Sequence, residues 1–178
     1  VANNLGIGLA KNEMLRDLKF ESLDNGQNYR LNFYDFEGKR FDSAKSLKFI
    51  GEGESRKVHE FNLDPMNYVI KIETGPEGHN QNEYLLWDEI QGLKKELAWV
   101  KKWFAPVKYI SPCGRFLVMA RTEPRPEKKR PEKVPDFLMD THGNNFGWIG
   151  NNFVCHDYGM IYRFIKYGKK MVKPVYVY

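Results

Sequence analysis

Apolar and polar positions alternate in short runs along most of this chain. Gly, Asn and Pro interrupt them at intervals that predict short strands joined by tight turns, with one helical stretch among them. Near the start, a short helix is expected around Leu9 to Leu18. Lys19–Leu23 and Tyr29–Tyr34 then flank Asp24-Asn25-Gly26-Gln27-Asn28 as a hairpin, and another turn falls at Glu37-Gly38-Lys39. Leu47, Phe49 and Ile50 lead into Gly51-Glu52-Gly53-Glu54-Ser55, and Val58 restarts the apolar pattern, giving strand, flexible turn, strand. Tyr68-Val69-Ile70-Lys71-Ile72 is a β-branched strand, with Lys71 on the face opposite Ile70 and Ile72. From His79 to about Trp103 the period changes: Leu86, Ile90, Leu93, Leu97 and Val100 recur at three- and four-residue steps, with Gly92 a candidate break. Trp87, Trp99 and Trp103 read as core.

Val107–Ile110 and Arg115–Met119 flank the turn Ser111-Pro112-Cys113-Gly114. Four prolines among mixed charges from Glu123 to Pro135 read as an extended, solvated connector; the functional alternative is a basic docking arm. Phe146 to Ile149 and Asn152 to His156 form a last hairpin around the turn signal Gly150-Asn151-Asn152. The tail from Met160 is basic and aromatic, expected as a short helix and a strand. Its lysines read as solvated, with a grip on an acidic or phosphorylated partner as the alternative.

The expected fold class is α+β. It divides into an N-terminal extension (1–45), a sheet lobe with one main helix (46–122), a connector (123–136) and a reduced second lobe (137–178). The 178 residues are 42% hydrophobic and 15% aromatic, enough for a real core, which argues against general disorder. A net charge of +5 permits phosphate-rich ligands without requiring them. No apolar run approaches the roughly 18–20 residues of a membrane helix, and no signal-peptide pattern opens the sequence. Cys113 and Cys155 make neither a disulfide framework nor a metal finger, so a reducing cytoplasm is expected.

Candidate chemistry concentrates in Phe137 to Gly159. The predicted loops bring Asp140, Asn145 and Asp157 to one end of the late hairpin, an oxygen-rich set suited to a hard cation such as Mg²⁺. The plain alternative is that turns favour Asp, Asn and Gly. Glycines at 51 and 53 are either a plain turn or a backbone that approaches phosphate. Lys71 is either solvent-facing or directed at a phosphate. Cys155 beside His156 is discounted as a nucleophile pair, because neighbours on a strand point to opposite faces.

Glycine hairpin, strand lysine, helix glutamate, hairpin, connector, Asp-x₄-Asn and Asp-Tyr-Gly follow one another in the order of parts of the protein-kinase-like fold. Over about Leu47 to Gly159 the chain resembles that superfamily. It is most similar to small bacterial and phage kinase-like proteins, in which a D-x-H-x-x-N loop replaces H-R-D-x-x-x-x-N. The resemblance implies an antiparallel-sheet first lobe and a minimal second one. It implies an ATP- and Mg²⁺-dependent phosphotransferase acting on a hydroxyl, a protein Ser or Thr before a small molecule. Asp140 would be the base, and His142 would hydrogen-bond the catalytic loop into shape. Lys71, paired with Glu83, would grip phosphate, and Asn145 and Asp157 would hold metal. Gly51, Gly53, Ser55, Val58 and Val69 would line the nucleotide, with Met119, Ala120 and Arg121 in a hinge (Leu117 to Thr122) that meets adenine. Implied partners are a nucleotide and a protein substrate, not a membrane or nucleic acid.

The chain also departs from the pattern. Arg56 stands where a third glycine is expected, and there is no A-P-E signature or room for a large helical lobe. The alternative is therefore a catalytically silent kinase-fold module that binds a partner protein. A basic nucleic-acid-binding domain would rest on charge and aromatics alone, without a motif.

Overall fold

The computed structural model describes residues 48–61, 64–111, 114–138, 140–161 and 170–172, and the backbone of 19–22, 29–34 and 40–41. The expected helix around Leu9 to Leu18, Cys113 and the basic run from Tyr162 to Lys169 lie outside these residues.

The chain folds as α+β. Strands β1 (Lys19–Ser22), β2 (Tyr29–Tyr34) and β3 (Arg40–Phe41) form a small antiparallel sheet; β3 extends the expected hairpin by one strand. The larger sheet has five antiparallel strands in the order β4-β5-β6-β8-β7. These are β4 (Phe49–Glu52), β5 (Arg56–Glu60), β6 (Tyr68–Glu73), β7 (Val107–Ile110) and β8 (Phe116–Ala120).

Register decides what each face of this sheet carries. Val58 lies opposite Lys71, Lys71 opposite Leu117 and Val69 opposite Met119. Residues directly opposite share a face, so these five side chains form one surface. Ile70, Ile72 and Val118 lie on the other, with no exposed area. Lys71 is itself 4% exposed, so the solvent-facing alternative for this lysine does not hold.

Helix α1 (His79–Gln91) packs on the Lys71 face. Its inward stripe runs Asn80, Glu83, Leu86, Trp87, Ile90, at helical steps. The first half of that stripe is polar and the second apolar. The apolar half joins Val107, Leu117 and Met119 in the core, whereas the polar half serves the site described below. The carboxylate of Glu73 receives the first amides of α1, from His79 at 2.6 Å and Asn80 at 3.4 Å, and so caps the helix from a neighbouring strand. That cap draws Glu73 to His79, and the Glu77 carboxylate lies beside them.

The helical stretch expected to run to Trp103 divides at Gly92. Lys95–Trp103 continues as a 3₁₀-helix. Leu97, Val100 and Trp103 are three residues apart, and a helix of three residues per turn aligns them on one side. Val100 is fully buried; Trp99 and Trp103 are half-buried against the core.

The late hairpin pairs β10 (Phe146–Ile149) with β11 (Asn152–Cys155). Gly150 takes φ 58° in the turn, which a two-residue hairpin loop demands. Phe146 stacks on Phe153 at 5.3 Å, and Ala105 N–H donates to Cys155 O at 2.8 Å, which fastens the hairpin beneath the sheet.

The connector from Glu123 is not a free, solvated strand of chain. Glu123 exchanges both backbone hydrogen bonds with Trp148, and Lys128 lies 4.9 Å over the Trp148 ring. Its end forms β9 (Val134–Pro135), paired with β12 (Met171–Val172). Both β9 residues are buried, because the apolar positions that follow the prolines reach the core. No helix among the described residues is long and apolar enough to cross a membrane.

Candidate active site

The Lys71 face opens into a cleft of about 1490 Å³, bounded by the β4–β5 turn, the end of β8, the connector and the loops of the late hairpin. Gly51, Gly53, Val58, Val69, Lys71, Met119, Ala120 and Arg121 line it from one side. Asp140, His142, Asn145 and Asp157 line it from the other. A Cβ added at Gly51 or Gly53 would meet nothing within 4 Å, so no packing within the described protein explains either glycine.

Glu83 sits at the base of this cleft with no exposed surface. Lys71 Nζ donates to its two oxygens at 2.9 and 3.0 Å, and the Tyr158 amide donates to Oε1 at 2.9 Å. Arg56 Nη1 lies 3.0 Å from Oε2, a charge contact rather than a directed hydrogen bond. A buried carboxylate survives only when its lone pairs are filled in this way. Lys71 Nζ also donates to the carbonyl of His156. The residue after that carbonyl is Asp157, so the early-strand lysine and the late aspartate meet at one place. Gly159 completes the junction: an added Cβ would come within 2.9 Å of His79 in the first turn of α1.

Compared with protein-family models, curated proteins and solved structures, the chain finds no match. Its chemistry rests on this geometry.

Arg56 is the largest departure from the expected site. Placed where a glycine was expected, its guanidinium turns inward, 7% exposed, and Nη2 donates to Asp157 Oδ1. Burial works against its charge, but Glu83 and Asp157 outweigh that and raise its pKa further. Lys71 is shifted the other way: burial and the neighbouring Arg56 lower its pKa, with Glu83 and Asp157 only partly offsetting them. Burial also works against the charge on Asp157, yet Lys71 and Arg56 hold its carboxyl below the usual range. The Asp157 side chain remains 45% exposed to the cleft.

Ser55 does not line the cleft. Its hydroxyl is 2.7 Å from His79 Nδ1, which ties the β4–β5 turn to the start of α1. The loop-bracing role expected of His142 falls instead to His156. His142 is exposed, and among the described residues its ring makes no hydrogen bond; only its backbone amide donates to Asp140 Oδ1, at 3.1 Å. His156 contacts Asn144 O through Nε2 at 2.8 Å and Thr122 Oγ1 through Nδ1 at 2.7 Å, and its amide donates to Asn145 O at 2.8 Å. It therefore ties the Asp140–Asn145 loop to the end of the sheet. Burial, with Lys71 nearby, lowers its pKa to about 4, so the ring is neutral at pH 7. Burial pushes the Cys155 thiol well up, which makes it inert as a nucleophile.

In the hinge segment, Leu117 to Ala120 belong to a strand flanked on both sides, and the Arg121 amide donates to Asn67 O at 2.8 Å. Among the described residues, Thr122 is the one in the stretch Ala120 to Glu123 whose backbone amide makes no hydrogen bond. It is the one position there that could offer a nucleobase both a donor and an acceptor.

Asp157 and Asn145 line the cleft with side-chain oxygens, and among the described residues the Asn145 side-chain carboxamide makes no hydrogen bond, while its backbone N–H donates to His142 O at 3.0 Å. This donor set fits one hard divalent cation; Arg56 already holds an oxygen of Asp157.

Proposed function

We propose that this chain is a minimal kinase-like phosphotransferase that binds ATP in the cleft and acts on a hydroxyl acceptor. One observation carries the reading. A buried Lys71–Glu83 pair, made between a strand and a helix, touches the backbone on either side of Asp157, beneath a glycine turn that no internal packing requires.

Phosphoryl transfer passes through a loose transition state rich in negative charge, so positioning and neutralisation do most of the work. Lys71 binds phosphate oxygens, and Glu83 fixes where its ammonium sits. Asp140, exposed and held by the His142 amide, takes the proton from the attacking hydroxyl as its oxygen bonds to the γ-phosphorus and ADP leaves. Thr122 meets the base. Asn145 and Asp157 hold Mg²⁺, which when bound neutralises phosphate charge. The site of action is the cytoplasm, where ATP is abundant. A second reading is favoured by the Arg56–Asp157 ion pair: a module that binds nucleotide without turning it over and acts through a partner protein.

Both readings require nucleotide binding. ATP at about one hundred times its dissociation constant stabilises a fold by about 2.7 kcal/mol. At roughly 2–4 °C per kcal/mol, ATP with Mg²⁺ is expected to raise the unfolding midpoint by about 5–10 °C. Adenosine, which lacks the groups Lys71 would bind, is expected to raise it far less. A midpoint unmoved by millimolar ATP contradicts both readings.

A further inference from the structure

Arg56 leaves the β4–β5 turn at the first position of β5. Arg56, Val58 and the opposing Lys71 share a face, so the guanidinium is aimed into the site by strand register. It lies between two carboxylates, 3.0 Å from Glu83 Oε2 and hydrogen-bonded to Asp157 Oδ1. Two cations and two carboxylates thus form a neutral quartet in the cleft floor. A chain with glycine at this position would be left with one net negative charge there. Further out, Arg121, Arg125, Lys128, Lys129 and Arg130 line the cleft with Glu52, Glu132 and Asp140, and Arg121, Arg125 and Lys129 are already paired with Glu60, Glu123 and Glu132. A divalent ion arriving at Asp157 meets an oxygen already taken by a guanidinium.

We infer that Arg56 is the resident cation of this site. It supplies from within the chain part of the positive charge that divalent ions otherwise bring to a triphosphate, so nucleotide binding depends little on metal. The inference rests on the nucleotide-binding reading above. It differs from that reading in assigning part of the metal's electrostatic role to one side chain.

The test is equilibrium binding of a fluorescent ATP analogue to the full chain, with Mg²⁺ and again with EDTA. Wild-type affinity is expected to differ by less than about threefold between the two buffers. Arg56→Gln is expected to bind more than about tenfold more weakly in EDTA than in Mg²⁺. Arg56→Lys, which keeps the charge, is expected to fall between them, and circular dichroism checks that each variant is folded. The wild-type comparison needs no variant, so a misfolded Arg56→Gln does not remove the test. Wild-type binding in Mg²⁺ but not in EDTA overturns the inference and leaves nucleotide binding standing. Arg56→Gln as indifferent to metal as wild type also overturns it. Wild-type binding in neither buffer overturns the nucleotide reading and the inference together.

Discussion

Replacing Glu83 with Ala is expected to cost about 3–5 kcal/mol of folding stability, the range for removing one partner from a buried ion pair. The reason is local. Lys71 and Arg56 are both buried, and Glu83 is the carboxylate they share. Without it, two cations face each other with Asp157 as the nearest anion, and the Tyr158 amide loses its acceptor. Lys71→Met is expected to cost much less, because Glu83 would keep Arg56. This ordering separates a shared anchor from a simple pair. Urea unfolding of the three proteins measures it; a Glu83→Ala loss below about 1 kcal/mol would mean that the quartet does not hold the site together. Since single domains are stable by only about 5–15 kcal/mol, the variant is expected to be partly unfolded at 37 °C.

Asp140→Asn is expected to slow phosphate transfer by about 10²–10⁴-fold while leaving nucleotide affinity within about threefold. Asp140 is exposed, and among the described residues its side chain accepts only from the His142 amide, at 3.1 Å, so its loss leaves the core untouched. Asn keeps the shape and the hydrogen bond but cannot accept the proton. ATP consumption and autophosphorylation both report transfer, which makes the measurement independent of the natural acceptor. If wild type transfers phosphate and Asp140→Asn does so at the same rate, Asp140 is not the base. If wild type binds ATP and transfers none to any acceptor tried, the binding-module reading stands instead.

Most of the sheet was legible in the sequence because alternation and turn chemistry are local signals. β4, β5, β6 and the β10–β11 hairpin fall where Gly51-Glu52-Gly53, the β-branched run at Tyr68 and Gly150-Asn151 place them. The pairing of Lys71 with Glu83 was expected from the kinase-like resemblance; the residue pattern alone left Lys71 open between solvent and a phosphate. Arg56 was legible in part. The sequence shows it as a departure from the glycine pattern, but its place on the Lys71 face comes from the β5–β6 register, and its salt bridge to Asp157 spans 101 positions and has no local signature. His156 was discounted only as half of a nucleophile pair with Cys155, since neighbours on a strand point to opposite faces. Its contact with Thr122, 34 positions away, appears only once the hairpin folds under the sheet. The connector misled for a different reason. Prolines and charges report solvation on average, but Val134 within the connector and Phe137 and Leu138 just beyond it are buried, and Glu123 is held by Trp148.

The most direct measurement is a calorimetric titration of ATP with Mg²⁺ into wild type and Lys71→Met. Wild type is expected to bind, and Lys71→Met, still folded around the Arg56–Glu83 contact, to bind about 10- to 100-fold more weakly. Equal affinities in the two proteins would mean that no triphosphate lies against Lys71, and the cleft would need another occupant.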